Sequence, residues 1–361
     1  MNTTLRLLPA ILALSSTFAT AQQQKVVPQG MDFVESSLVY TYPFGRQTGA
    51  IQLLYDADQI TTQQGLITGM RFRQSQITAT QTYPSYQKNY KVTAYTVPQS
   101  AATMAADPAI NAGAAVPTVV FQGPLTLPAV TMITTYPGAF AIDIPFSTPY
   151  VFDGSQGNLL LLLETDDTTA VPTGSYRIDA VNLRNNQVTG LSASLDSQGC
   201  TAQGLYLTLA TDPTSAIVGG AITQSIGSST PGAFPIVFSG LSFSVQQSNL
   251  AIFGMPNCTS WLGPAAFKML FENVGGGYSP LTWSLPVDPS IEGVALAGQA
   301  FGLPPNGQLT DSVTSNGSAV RIGSSTFPTV KSNMSFRGTG NWAMGTTGTF
   351  IAVVQFEGVF P

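Results

Sequence analysis

From Lys25 onward the chain consists of short apolar or alternating runs, broken roughly every eight to fifteen residues by Pro, Gly, Asn or Asp. That rhythm predicts strands, not helices. In the first half they are expected at Ala50–Tyr55, Leu66–Gln74, Tyr90–Val97, Thr118–Gln122, Ala139–Ile144 and Leu159–Glu164, with another around Ser175–Leu183. Between Lys91 and Val97 the β-branched and aromatic residues suit a pleated, half-buried surface. Leu159–Glu164 is apolar on both faces, as a central strand between two layers would be. One stretch departs from the rhythm: Ala101–Ala115 is alanine-rich, interrupted by Pro108, and reads as a short helix or turn.

In the second half, strands are expected at Gly204–Ala210, Ala233–Ser239, Leu250–Phe253, Ala266–Phe271, Leu281–Leu285, Val294–Phe301, Ala319–Ile322 and Thr349–Phe356. Gly275-Gly276-Gly277 reads as a hairpin turn, since it lacks the following Lys-Ser/Thr and helix of a phosphate loop. The polar stretch from Asn185 to Gln198 marks a boundary. The expected fold class is therefore all-β: two antiparallel β-sandwich domains of the jelly-roll or immunoglobulin-like kind. They are assigned to residues 25–185 and 196–361, joined by a linker at 186–195.

The first residues change the picture. Arg6, the apolar stretch Leu7–Leu14 and the small-x-small site Ala19-Thr20-Ala21 form the pattern of a secretory signal peptide over residues 1–21. A secreted, extracellular or cell-surface-associated protein is expected, with its mature part starting near Gln22. The longest later apolar run, Leu159–Leu163, is far short of the ~20 residues that span a bilayer, so no membrane-spanning segment is expected. Charged residues make up 9% of the chain, while 43% apolar residues can build a real core and exclude disorder. A net charge of −5 without a basic patch argues against a nucleic-acid partner. In an exported chain the two cysteines, Cys200 and Cys258, are expected to be bridged, the alternative being two buried thiols.

Several stretches of the second half carry a resemblance. They are Gly199-Cys200, Leu250–Gly254 with Asn257-Cys258, Leu285–Gly293 with its Pro286-Val287-Asp288-Pro289 turn, Ala297–Ala300 with its Gln299-Ala300 pair, Ser315-Asn316-Gly317 and Arg321–Gly323. In that order they resemble the C-terminal module of secreted two-domain β-sandwich proteins of planctomycete-type bacteria. The first half resembles the sandwich that precedes that module, through Gly65–Arg73, Val119–Gly123, Ile144–Phe146, Asp153 and Gly157–Leu160. The resemblance implies export and sandwich folding and brings no established activity. Residues Phe327–Pro361 extend past the module's usual end.

Candidate chemistry is sparse. The chain has no histidine, which removes Ser-His-Asp and Cys-His nucleophiles and the imidazole ligands of most catalytic zinc sites. No cofactor is expected. Calcium needs only oxygen ligands, and its best candidates are Glu164, Asp166 and Asp167 after a central strand, followed by Asp56 and Asp58. Against that stands the reading of a solvated acidic loop end. Tyr83, Tyr86 and Tyr90 lie among amide and charged hydrogen-bonders in one expected loop. With Trp261, Trp283 and Trp342 they are candidates for an aromatic platform that holds sugars; packing in the cores is the competing reading. The functional expectation is a non-catalytic structural, adhesive or surface-associated protein, in contact with polysaccharide or other extracellular proteins. A carbohydrate-binding module is the alternative, and a glycoside hydrolase using two carboxylates comes third.

Overall fold

A computed structural model describes residues 22–32, 34, 38–75, 84–129, 137–171, 176–182, 190–196, 199–255, 257–273, 277–323, 330–338, 340–344 and 350–361. The expected signal peptide, the linker apart from residues 190–195, and Tyr83 lie outside these residues. The architecture is almost entirely β, and every paired strand within it is antiparallel. No described helix is long and apolar enough to cross a membrane.

One group of sheets forms a sandwich. Its larger sheet runs in the order Ala343–Met344, Ser332–Arg337, Gly49–Tyr55, Asn158–Thr165, Tyr86–Val97, Thr118–Leu127. The facing sheet runs Gln23–Val27, Val354–Val359, Gln64–Phe72, Ile142–Asp153. Alternate residues of both, among them Ile51, Leu53, Leu161, Leu163, Met70, Phe72, Ile144 and Phe356, meet in one core. A short sheet of Leu38–Tyr40, Ile178–Asn182 and Phe350–Ala352 accompanies them.

Asn158–Thr165 is central, as its two-sided apolarity predicts. The expected helical stretch accounts for its second buried face. Pro108 splits that stretch into Ala101–Thr103 and Pro108–Ala112, with the Asp107 side chain accepting from the Ala109 N–H at 2.9 Å. Ala101 and Met104 then cover Leu54, Val97 and Leu160.

The second group also has two layers. Leu191–Ser194, Ser318–Arg321, Ala295–Leu303, Ile236–Ser242 and Ala265–Phe271 form one sheet, with Val313–Thr314 added beside Ala295–Leu303. Leu207–Asp212, Ala221–Ser228 and Leu281–Ser284 form the other, and a two-stranded ribbon joins Val245–Asn249 to Thr259–Leu262. Leu207, Leu209 and Ile226 pack on Val237 and Ala300 across the layers. Cys200 and Cys258 are disulfide-bonded, with Cα atoms 4.9 Å apart.

Three expectations are corrected. The tail assigned to the second sandwich pairs with the first: Ser332–Arg337 lies against Gly49–Tyr55, and Val354–Val359 lies between Gln23–Val27 and Gln64–Phe72. A sheet needs a partner for each inner edge, and the first half alone leaves these unfilled. Leu250–Phe253 is not a strand, because Ala251–Phe253 turns as a 3₁₀ helix closed by Gly254 at φ 83°. Gly275-Gly276-Gly277, of which only Gly277 is described, does not join a hairpin. The strand before it pairs with Ile236–Ser242, and the one after it with Ala221–Ser228 in the opposite sheet.

The segment around Gln29–Val34 ties the two groups together. Arg73, fully buried, donates to Asp179 at 2.9 Å, to the Met31 carbonyl at 2.8 Å and to the Val34 carbonyl at 2.7 Å. Val34 in turn packs on Leu195, Leu262, Ala297 and Ala319 of the second group. From that side Arg321 donates to the Gln29 carbonyl at 2.6 Å. Gly30 is required here, since its φ is +81° and a Cβ would lie 2.1 Å from the Gly293 carbonyl oxygen.

Candidate functional site

The residues that stand out are on the strand Ala265–Phe271. It is an edge: among the described residues only Ile236–Ser242 pairs with it, leaving its other side bare. Period-two alternation sends Lys268 and Leu270 to the inner face and Phe267, Met269 and Phe271 to the outer one. Inside, Leu270 packs on the core, while Lys268 donates to the Thr282 carbonyl at 2.7 Å and sits 4.5 Å from the centre of the Trp283 ring. Outside, Phe267, Met269 and Phe271 remain 53%, 53% and 61% exposed.

The outer face continues as an apolar surface. Phe238 lies opposite Met269 and Ile236 opposite Phe271; Phe301 and Leu303 follow on the next strand, all half-buried. Phe267 leans over Gly240, whose missing side chain makes the room, and meets Phe301 edge-on at 5.9 Å. At its other end the same face is covered. Leu262 of the ribbon lies over Gly240, and buried Gln299 accepts from the Trp261 N–H at 2.9 Å and donates to the Thr259 and Ser315 carbonyls at 2.9 and 3.0 Å. The ribbon thus caps half of the face and stops. Every exposed phenylalanine among the described residues (Phe243, Phe253, Phe267 and Phe271) belongs to this second group.

Among the described residues Tyr86 and Tyr90 do not present an aromatic platform. The stretch read as a loop is the start of the strand Tyr86–Val97, and alternation turns Tyr86, Lys88 and Tyr90 inward. Tyr90 is 2% exposed and packs on Phe44 at 5.4 Å. Tyr86 donates to the Phe44 carbonyl and meets Tyr176 edge-on at 5.9 Å, and burial pushes its hydroxyl well above the ordinary tyrosine pKa. The tryptophans are spent separately. Trp261 donates to Asp196 at 2.9 Å, Trp283 donates to Gln224 at 2.8 Å, and Trp342 lies against Arg337.

Of the candidate calcium ligands, Glu164, Asp167, Asp56 and Asp58 make contacts within the chain. Glu164 pairs with Arg337 at 3.6 Å. Asp167 accepts the Asn89 and Thr169 N–H groups, both at 2.9 Å, and the Thr169 hydroxyl, which hold its carboxyl far below the usual carboxylate range. Asp166 is exposed beside them. Asp56 accepts from the Ala101 N–H at 2.8 Å, and Asp58 pairs with Lys331. Among the described residues no group of three acidic or sulfur side chains is arranged to hold a metal. Two carboxylates, Asp32 and Asp58, border one cleft of about 330 Å³.

Comparison with known protein families, with curated proteins and with solved structures finds no match. The site's own chemistry is then what speaks for function. A sheet edge and an apolar face can hold another extended chain or an apolar surface; they offer no acid, base or nucleophile.

Proposed function

We propose that the protein is a secreted, non-catalytic structural or adhesive protein that works by contact through the open edge of its second sandwich. The observation that carries this reading is the bare strand Ala265–Phe271 with three large apolar side chains more than half exposed. Natural sheets protect such edges with charge, proline or a covering loop, because an open edge is a template for pairing. Contiguous exposed apolar surface on a soluble protein marks a contact site. The low content of charged residues agrees with a surface built for contact.

The test compares retention of the mature protein, from Gln22 onward, on cell-envelope material and on apolar-coated beads. Wild type should be retained, and a Phe267→Lys/Phe271→Lys variant with an unchanged melting temperature should wash off. Equal retention of the two would overturn the reading. The same columns loaded with polysaccharides address the carbohydrate-binding alternative: retention that survives the two substitutions would favour it.

A further inference from the structure

The backbone of the edge strand carries more information than its side chains. The Glu272 N–H donates to the Pro235 carbonyl at 3.1 Å. In an antiparallel ladder residues alternate between turning their N–H and C=O groups toward one neighbour and toward the other. With Ile236 opposite Phe271, Glu272 fixes the phase: Leu270, Lys268 and Ala266 bond inward to Ile236–Ser242. Ala265, Phe267, Met269 and Phe271 therefore aim their backbone groups at the open side. The exposed large apolar residues of the strand, Phe267, Met269 and Phe271, are thus among those whose backbone groups face outward.

Resting on the contact reading above, we propose that the partner is a second copy of this chain, joined through antiparallel pairing of the two Ala265–Phe271 strands about a two-fold axis at Met269. In that register Met269 faces Met269 of the second copy, and Phe267 faces Phe271 in both directions. All three pairs exchange both of their N–H···O bonds, so the outward groups of Phe267, Met269 and Phe271 are satisfied together. Lys268 then stands opposite Leu270 on the inner face. Of the two registers one step away, the one centred on Lys268 would set two ammonium groups against each other across the strands, which is unfavourable. The one centred on Leu270 leaves Phe267 facing Asn273, beyond the end of the strand. No charged side chain lies on the outer face of the strand to oppose self-pairing.

Area sets the strength. Aromatic side chains carry about 150–250 Å² each, so Phe267 and Phe271, both more than half exposed, together with Met269 offer roughly 300 Å² per copy. A standard stable interface buries about 800 Å² per partner. The edge-paired dimer is therefore reversible and concentration-dependent, and it doubles the width of the apolar outer face.

Cross-linking tests this directly. Cys200 and Cys258 are bonded to each other and no described cysteine is free, so an introduced thiol acts alone. Directly opposed residues in a hydrogen-bonded pair have Cα atoms about 5.5 Å apart, within disulfide range. Met269→Cys should form a covalent dimer under mild oxidation at least tenfold faster than Ile252→Cys, at a site 85% exposed and away from the edge. Phe267→Cys alone should stay at the control rate, and Phe267→Cys/Phe271→Cys should cross-link. Met269→Pro removes only an outward N–H, which an edge strand tolerates, and should abolish the sedimentation shift that wild type shows as its concentration rises. Cross-linking of Met269→Cys no faster than the control, with wild type sedimenting as a monomer throughout, would overturn self-pairing. The contact reading would then stand or fall on bead and envelope retention measured at dilutions where the chain is monomeric.

Discussion

Phe356 decides whether the tail belongs to the first sandwich. Its ring is fully buried in that core and meets Tyr55 edge-on at 5.5 Å, with an angle of 88° between the rings. Its strand lies between Gln23–Val27 and Gln64–Phe72. Removing a buried Phe side chain costs about 3–5 kcal/mol, transfer and cavity terms together. In guanidinium chloride, with a slope of roughly 4 kcal/mol per molar, Phe356→Ala should lower the midpoint by about 1 M. Phe271→Ala, at a site 61% exposed, serves as the control and should shift the midpoint by less than about 0.1 M. The assay can separate the two groups of sheets. In a Trp342→Phe background, which removes the tryptophan lying against Arg337 of the first group, Trp261 and Trp283 report on the second by fluorescence, while Tyr55 and Tyr90 contribute near-ultraviolet circular dichroism from the first. The expected result is an early loss of the tyrosine signal ahead of the Trp261 and Trp283 signal. An unchanged midpoint, or a shift confined to Trp261 and Trp283, would refute placing the tail in the first sandwich.

Replacing the disulfide by Cys200→Ser/Cys258→Ser should cost about 4 kcal/mol for a loop of 58 residues on the chain-entropy account, seen as a lower melting temperature of the second group with the first unmoved. Arg73→Met leaves buried Asp179 without this guanidinium and frees the Met31 and Val34 carbonyls, so a loss of about 3–5 kcal/mol is expected, with new proteolytic cutting near residues 29–34. The Asp167 carboxyl is held below its unfolded pKa by bonds from Thr169 and Asn89. Its contribution is therefore complete above the unfolded value of about 3.9 and fades as pH falls through the folded one. Wild type and Asp167→Ala should differ in protection of the Thr169 amide at pH 6 and converge toward the acid limit. A difference that persists undiminished there would contradict the assignment.

The strands were legible because burial writes a period of two into the sequence. Leu159–Glu164 showed its central place through apolar residues on both faces, and the two cysteines showed their bond through the expected compartment. What depends on distant partners left no local trace. The apolar pattern of Val354–Val359 says that the segment pairs, and says nothing of a partner more than three hundred positions away. The alternation in Ala265–Phe271 looks the same whether its outer face is covered or open; coverage is decided by where the ribbon ends. The tyrosine stretch did carry a usable sign. Tyr86, Lys88, Tyr90 and Val92 fall on every second position, a strand signal masked by the polar residues between them and by a lysine in the series. Lys88 is 2% exposed, its ammonium spent on backbone carbonyls such as that of Arg46 at 3.0 Å, and no pattern of residue types announces a buried lysine.

The tail strand has a consequence for the order of assembly. Gln24 and Glu357, opposite each other in the ladder, are separated by 333 positions. A chain that emerges from its N-terminus has the middle sandwich complete while the outer one still lacks the strand at its centre. Pairing at such separation is slow, because loop closure must come before any contact rewards it. Until Val354–Val359 is available the first sandwich lacks an inner strand of one of its sheets, so the larger core closes last.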